Sequence, residues 1–507
     1  MATFTKIPDD ETPVIDVDVS RMLSKIDPMT YGGFTEHMGR CIYGGIYDPE
    51  SPLSDEHGFR KDVMSALREL DVPVVRYPGG NFIATYHWQD AVGPRDQRPK
   101  RPELAWLGVE PNTFGTDEFM HWLSVLSEGR KERVEPYLCL NMGTGTLTEA
   151  LAWVEYCNGT KDTYWANKRR ENGHLEPYNV KYWALGNEIW GPWQVEQMTK
   201  EDYAKKAAQW AKALRLLDPN LVLILCGQEG YNSWDHHVLK ECVQWVDMHS
   251  IHLYTCSNEH LPNATAPLAA ERAIETAAAL IDVARIENKI PPSKPQVKIC
   301  FDEWNVWDPV RAPGELGAEE VYTLSDALAV SVWLNVFIRQ SKWIGMANIA
   351  QSVNVISPLM TTKEGIVKQS TWWPLLLFSK YMQGWTLGVH VRCGSYTGHT
   401  KPEWLQGTLE NGAPWLDVSA SVNEEGIVAL VAVNIGDRDL GTAVKGVGSV
   451  TDVQVFRVTG PSIQSANKAG KEEVAVQEEK WDAKASSGTF VFAKNSMTML
   501  RWKHTGA

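Results

Sequence analysis

Between residues 30 and 350, short apolar runs of strand type alternate with longer amphipathic patterns. Runs near 30–36, 73–78, 134–141, 181–188, 221–227, 245–252, 297–303 and 344–350 read as strands. Helical spacing is clearest at 56–70, 116–129, 201–217, 268–288 and 318–341. Parallel strands joined by helices need both faces of the sheet covered, and eight such units can close on themselves. The count therefore predicts an α/β fold, a (β/α)8 TIM barrel, rather than an open doubly wound sheet. The run at 30–36 is the least well marked of the eight.

After about residue 385 the pattern changes. Strand-like runs at 427–434, 453–458, 488–492 and 497–502 are separated by short polar turns. They predict a C-terminal antiparallel β-sandwich domain over 386–507, with the barrel as residues 29–385. The alternating stretch Val14–Val19 precedes the barrel, so residues 1–28 are expected to add a strand to the sandwich. Segment 462–486 is rich in Lys, Glu, Ser and Ala and reads as a mobile surface loop.

A chain of 507 residues that is 43% apolar can bury a sizeable core in each of two domains. Its net charge of −14 and lack of a basic patch exclude nucleic acid as an expected partner. No run of 18 apolar residues marks a membrane span. The N-terminus lacks a basic start followed by an apolar core, so a cytoplasmic location is expected. The eight cysteines form no CxxC pair and read as buried thiols. Asn158-Gly-Thr and Asn263-Ala-Thr match the glycosylation pattern, which matters only in a secreted protein. The 22 tryptophans exceed ordinary usage; most must serve packing, but several fall near strand ends, where indoles can stack on sugars.

A barrel carries its chemistry at the C-terminal ends of its strands. Collecting polar residues there gives Glu36 and His37; Arg76 and Asn81; Asn141; Asn187 and Glu188; His249, His252 and Tyr254; Glu303; and Asn348 and Gln351. A carboxylate at the end of a buried strand is costly unless it is paired or used. Either glutamate alone could be a strand-end charge reaching solvent. Glu188 follows Tyr182-Trp-Ala-Leu-Gly-Asn187, and Glu303 follows Val297-Lys-Ile-Cys-Phe-Asp302. Together, each among tryptophans, they suggest two carboxylates facing one sugar. The two histidines lack zinc-type partners, so no metal or cofactor is expected, and no Gly-x-Ser-x-Gly elbow suggests an esterase. Arg76 could be a structural ion pair and His252 a satisfied core histidine.

The same stretches resemble glycoside hydrolase family 51, the α-L-arabinofuranosidases. The similar motifs are Tyr31-Gly-Gly-Phe-Thr-Glu36-His37, Val75-Arg76-Tyr-Pro-Gly-Gly-Asn81, Trp183-Ala-Leu-Gly-Asn187-Glu188, His249-Ser-Ile-His252-Leu-Tyr254 and Phe301-Asp-Glu303-Trp-Asn-Val-Trp307. The resemblance spans essentially the whole chain. It implies retaining, exo-acting release of terminal α-L-arabinofuranose from arabinan, arabinoxylan or their oligosaccharides. Glu188 would be the general acid/base and Glu303 the nucleophile. Asn187 would bind the sugar 2-OH, and Glu36, Asn81 and Gln351 the other hydroxyls. Tyr254 would orient Glu303, His252 would set the protonation of Glu188, and Arg76 would keep Glu303 ionised. Trp106 and Trp307 would wall the pocket. A homo-oligomer, often a hexamer, is also implied. The alternatives are another retaining barrel glycosidase, such as a β-xylosidase or endoglucanase, or a non-catalytic carbohydrate-binding protein.

Overall fold

The computed structural model describes residues 2–307 and 318–504. Eight parallel strands follow in chain order around one sheet: Gly33–Phe34, Val74–Tyr77, Glu135–Cys139, Tyr182–Leu185, Val222–Leu225, Met248–Thr255, Lys298–Val306 and Ile344–Ile349. A parallel bridge between Gly32 and Asn348 joins the last strand to the first and closes the barrel. The first strand is only two residues long because Pro28–Tyr31 forms a 3-10 turn just before it, capped by the Asp27 side chain. Close approach dictates Gly32. A Cβ there would meet Asn348 Nδ2 at 2.4 Å and Val74 Cγ1 at 2.7 Å.

The helical patterns appear with trimmed ends, at Lys61–Glu69, Thr116–Leu126, Lys200–Leu217, Leu268–Glu287 and Leu324–Arg339. Leu324–Arg339 starts six residues later than its pattern suggests, where Thr323 and Asp326 form a capping box. Every residue of this helix except Ser325 is buried. A helix apolar on all sides needs cover on all sides. The barrel provides one, and the sandwich the other. Arg339 bonds Glu271 of the barrel and Asp417 of the sandwich, at 2.8 and 3.0 Å. Helices at Leu147–Asn158, Tyr164–Glu171, Ser233–Cys242 and Trp372–Tyr381 were not legible, being short or mixed in character.

The C-terminal sheet starts at Trp385–Cys393, and Val14–Lys25 pairs with that strand and with Leu440–Lys445. The N-terminal segment thus belongs to this domain. At the two ends of the strand order lie Ala475–Trp481 and Thr489–Phe492, yet the Trp481 and Phe490 rings are 5.1 Å apart. The sheet therefore curls over to enclose one core as a β-sandwich. Segment 462–486 is corrected by this arrangement: it holds a strand, Ala475–Trp481, and is not a surface loop throughout. An edge strand whose Gln477-Glu-Glu-Lys480 run is exposed on both faces has the composition of a loop. Upstream, Ser465 and Ile463 carbonyls accept from the Leu324 and Ser325 amides, which docks this segment on the barrel.

Cys41, Cys139, Cys157, Cys226, Cys242, Cys300 and Cys393 are buried free thiols. Both glycosylation-type asparagines are committed internally. Asn158 bonds the Val180 backbone through both side-chain atoms, and Asn263 is buried against Asp326 and Ser257. Among the described residues, no helix is long and apolar enough to cross a membrane.

Candidate active site

A cavity of about 380 Å³ opens at the C-terminal end of the barrel. Glu36, Asn81, Trp106, Glu188, His252, Tyr254, Glu303, Trp307 and Gln351 all line it. Arg76 and Asn187 lie directly behind that lining and are 0% and 1% exposed.

Glu188 stands just past the fourth strand. Gly186 and Glu188 both take left-handed backbone, at φ 84° and 44°. For a non-glycine residue this conformation is strained, and such strain persists only where surroundings enforce it. Here the Glu188 carbonyl accepts from the Gly191 amide at 2.7 Å, and the Trp193 indole N–H donates to Glu188 Oε2 at 2.8 Å. Glu303 lies within the longer seventh strand. Its Oε1 takes an Arg76 N–H at 2.6 Å, and its Oε2 takes the Tyr254 hydroxyl at 2.8 Å. Burial, Glu303 and Glu188 all push the Tyr254 phenol up, so it remains a donor.

His252 sits between the carboxylates. Its Nδ1 is 2.9 Å from Glu188 Oε1 and 3.6 Å from Glu303 Oε2, while Nε2 is 3.3 Å from Asp302 Oδ1. A carboxylate oxygen of Glu188, one of Glu303 and a ring nitrogen of His252 lie mutually within 4.8 Å. Burial alone would depress the imidazole, but Glu303, Asp302 and Glu188 more than offset it and push it up to about 10. A ring protonated on both nitrogens has no lone pair for a metal.

Beneath lies a buried scaffold. Arg76 donates to Glu303 and to Asn187 Oδ1 at 2.6 Å each, stacks 4.6 Å over the Phe34 ring, and lies 3.7 Å from Asp302. Asp302 also accepts from Tyr137 at 2.7 Å and from Ser250. Burial would raise its carboxyl, yet Arg76 and His252 hold it well below the usual carboxylate range. Asp302 was not singled out from sequence, though it precedes Glu303. An acid that ends the apolar run Ile299-Cys-Phe301 directly before Glu303 is the sequence signal that could have found it.

On the far wall, Glu36 accepts from the Phe82 amide and the Trp106 indole at 3.1 Å each, and from Gln351 Nε2 at 3.0 Å. Gly80 has to be glycine, since a Cβ would meet Glu36 Oε2 at 2.6 Å. Burial, then the nearby Glu303 charge, raise the Glu36 carboxyl to about 8, with the Phe82 and Trp106 bonds and Arg76 opposing in part. Glu36 is thus neutral at pH 7. The unfolded chain ionises near 4.5, so between about 4.5 and 8 folding must take up a proton and stability falls as pH rises. We expect Glu36→Gln to melt a few degrees above the wild type at pH 8, from at most about 4–5 kcal/mol. The gap should close near pH 4, as read by calorimetry across pH.

Trp106 owes its place to a hairpin pairing Arg101–Pro102 with Val109–Glu110, whose tip Glu103 ties to the Ala105 and Trp106 amides at 2.7 and 2.6 Å. Trp307 meets the Tyr254 ring edge-on at 5.3 Å, and Asn187 Nδ2 reaches Asn81 Oδ1 at 3.3 Å. His37, Asn141, His249 and Asn348 serve the frame. His37 pairs with Glu110 at 2.9 Å, His249 with Asp235 at 2.8 Å, Asn141 bonds the Tyr86 carbonyl, and Asn348 bonds the Gly33 carbonyl across the barrel seam. Sequence reasoning missed Trp190, Trp193 and Glu229, which also line the cavity. Trp193, five residues past Glu188 after a Gly-Pro turn, was the legible one.

Comparison with known proteins agrees with this geometry. Residues 66–266 match the family described as alpha-L-arabinofuranosidase 1 domain, and residues 302–496 match the alpha-L-arabinofuranosidase C-terminal domain. The chain is similar to the probable alpha-L-arabinofuranosidase C of Aspergillus fumigatus, at 64% identity over 99% of this chain and 100% of the relative. It is 33% identical to the intracellular exo-alpha-(1->5)-L-arabinofuranosidase 1 of Bacillus subtilis, over 95% of each chain. The solved structure of the GH51 alpha-L-arabinofuranosidase from Thermotoga petrophila superposes with a TM-score of 0.87 at 35% identity, covering 97% of this chain and 100% of that one. With two carboxylates at the barrel mouth and this likeness over nearly the whole length, the chain belongs to glycoside hydrolase family 51 and is a hydrolase acting on arabinofuranosides.

Proposed function

We propose that the protein releases terminal non-reducing α-L-arabinofuranosyl residues from arabinan, arabinoxylan or derived oligosaccharides by double displacement with retention. The observation that carries this reading is the approach of Glu188 and Glu303, whose nearest oxygens share a cluster spanning no more than 4.8 Å. Retention needs carboxyl groups about 5–5.5 Å apart, whereas inversion needs room for a water between them.

In the first step Glu303 attacks the anomeric carbon and the glycosidic C–O bond breaks. Glu188 gives its proton to the departing oxygen, leaving a glycosyl ester on Glu303. In the second step Glu188 takes a proton from water, the water oxygen bonds the anomeric carbon, and Glu303 leaves as carboxylate. Arg76 and Tyr254 place two hydrogen-bond donors on Glu303, which fix its direction of attack. Glu188 is the acid because its carboxylate faces the open side, beside Trp193. His252 holds Glu188 Oε1 and carries the positive charge that offsets the three acids around it.

The sugar sits between the carboxylates and the Glu36 wall. A neutral Glu36 can donate its own proton to one hydroxyl while Gln351 and Asn81 serve others. Asn187 Nδ2 has a second hydrogen beyond the one facing Asn81, which would serve the 2-OH. Trp106 and Trp307 close the sides. The reading extends to action inside the cell, supported by the name of the Bacillus subtilis relative and testable by fractionation, and, from the family resemblance alone, to a homo-oligomer, testable by sedimentation.

The test is product stereochemistry. Proton NMR during hydrolysis of 4-nitrophenyl α-L-arabinofuranoside should show α-arabinofuranose first, with the β anomer following only by mutarotation. First appearance of the β anomer would replace double displacement with inversion. Faster cleavage of the matching β-D-xyloside would keep the two glutamates and discard the sugar.

A further inference from the structure

We propose that the catalytic cavity continues onto a second sugar platform, built by Tyr231 of the barrel and Trp404 of the sandwich domain. It would bind a neutral saccharide unit lying beyond the leaving sugar. This rests on the reading of Glu188 as general acid, because the acid marks the side on which the leaving chain departs.

Four observations lead outward from Glu188. Trp193, which bonds Glu188, is 54% exposed, and Trp190 packs against it edge-on at 5.2 Å. The Trp190 indole donates to the Gly227 carbonyl at 3.0 Å, which ties this pair to the loop after the fifth barrel strand. That loop carries Glu229, itself part of the cavity lining, and Tyr231, whose phenol is pushed up by burial and by the neighbouring Glu229 charge. Tyr231 meets Trp404 at a ring distance of 5.3 Å and an angle of 67°.

Trp404 reaches this place by a detour. After Trp385–Cys393 the chain leaves the sandwich sheet and returns to it only at Leu416–Val422. On the way a short 3-10 helix, Glu403–Thr408, brings Trp404 to Tyr231 of the barrel. Leu405 is 0% exposed and belongs to the large apolar cluster that runs from the barrel into the inner face of the sandwich, while its neighbour Trp404 is 38% exposed. The detour is thus anchored by one side chain and presents the next to solvent. An indole held half-open on a rigid anchor beside a binding cavity is pre-organised for an apolar face, and its ordering cost is already met. Asp235, in the first turn of helix Ser233–Cys242, fixes the other side of the loop, accepting from the Gln228, Gly230 and Asn232 amides at 2.8, 3.0 and 3.2 Å. Aromatic faces and a single acid, Glu229, along this path suit a neutral partner with C–H faces, a further unit of an oligosaccharide chain.

The experiment measures kcat/KM on α-1,5-linked arabino-oligosaccharides of two to six units and on 4-nitrophenyl α-L-arabinofuranoside, for wild type, Trp404→Ala, Trp404→Phe and Tyr231→Ala. In the wild type, kcat/KM should climb with chain length beyond two units. In Trp404→Ala the ratio of kcat/KM for the longest chain to that for the aryl glycoside should fall 5–10-fold, mostly through KM. Tyr231→Ala, altered on the other domain, should move the ratio the same way, and Trp404→Phe should keep most of it. A ratio that stays constant in both alanine variants overturns the platform, as does a wild type indifferent to chain length. If the wild type ignores the aryl arabinofuranoside altogether, the sugar assignment fails instead, which separates the two readings.

Discussion

Glu303→Ala should lose turnover by about 10⁴-fold or more in kcat/KM, a barrier increase of roughly 5.5 kcal/mol. The loss should be the same for good and poor leaving groups, because no covalent intermediate forms whatever departs. The fold should survive, since Arg76 keeps Asp302 and Asn187 as partners. Removing one carboxylate from a buried cluster nonetheless leaves the arginine less compensated, so a lower melting temperature is expected. Added azide would occupy the vacated side and yield the β-configured azide, inverted from the substrate. Retained activity on any arabinofuranoside would exclude Glu303 as nucleophile.

Glu188→Ala should behave differently. General acid help is worth about 10²–10⁴-fold, and a leaving group that departs unaided needs little of it. The first step should therefore fall steeply for oligosaccharides and only modestly for dinitrophenyl arabinofuranoside. The glycosyl ester on Glu303 then accumulates, since no base activates water. Azide fits the space left by the carboxylate beside Trp193 and needs no base, so it should restore turnover and give the α-configured azide. Burst kinetics and product NMR check both points. Equal loss across leaving groups, with no response to azide, would sink the acid/base role. Opposite azide anomers from the two variants would be hard to explain by anything except carboxylates on opposite faces of one sugar.

The family placement makes the arabinofuranoside chemistry firm, and the geometry suggests how selectivity is divided. In the proposed binding mode the end sugar would meet the Glu36 wall, whose carboxyl, amides and indole leave few ways for a different ring to satisfy every donor. Discrimination of that kind is strong because a wrong sugar leaves buried polar groups unpaired. Beyond the cleaved bond the surfaces are aromatic and open, which suits varied chains and grades them by length.

What the sequence determined by itself was local. Eight apolar runs with helices between them specify the barrel, because a parallel strand must be covered on both faces and says so in its composition. Alternating runs after residue 385 specify the sandwich. The Asn187-Glu188 and Asp302-Glu303 pairs were visible because a polar pair ending an apolar run violates the pattern around it. The charged edge strand Ala475–Trp481 was misread for the complementary reason: its open side follows solvent rather than strand propensity. Tertiary structure decided what meets what. Irregular register between the sixth and seventh strands brings His252 opposite Glu303, and no local pattern encodes that offset. Asp302 became the partner of Arg76, 226 residues away, only when the barrel closed. Trp106 reached Glu36 through a hairpin, and Trp404 reached Tyr231 through a detour from another domain. Periodicity reports which face of an element is buried, whereas hydrogen bonds near 3 Å depend on register and closure, which are properties of the whole chain.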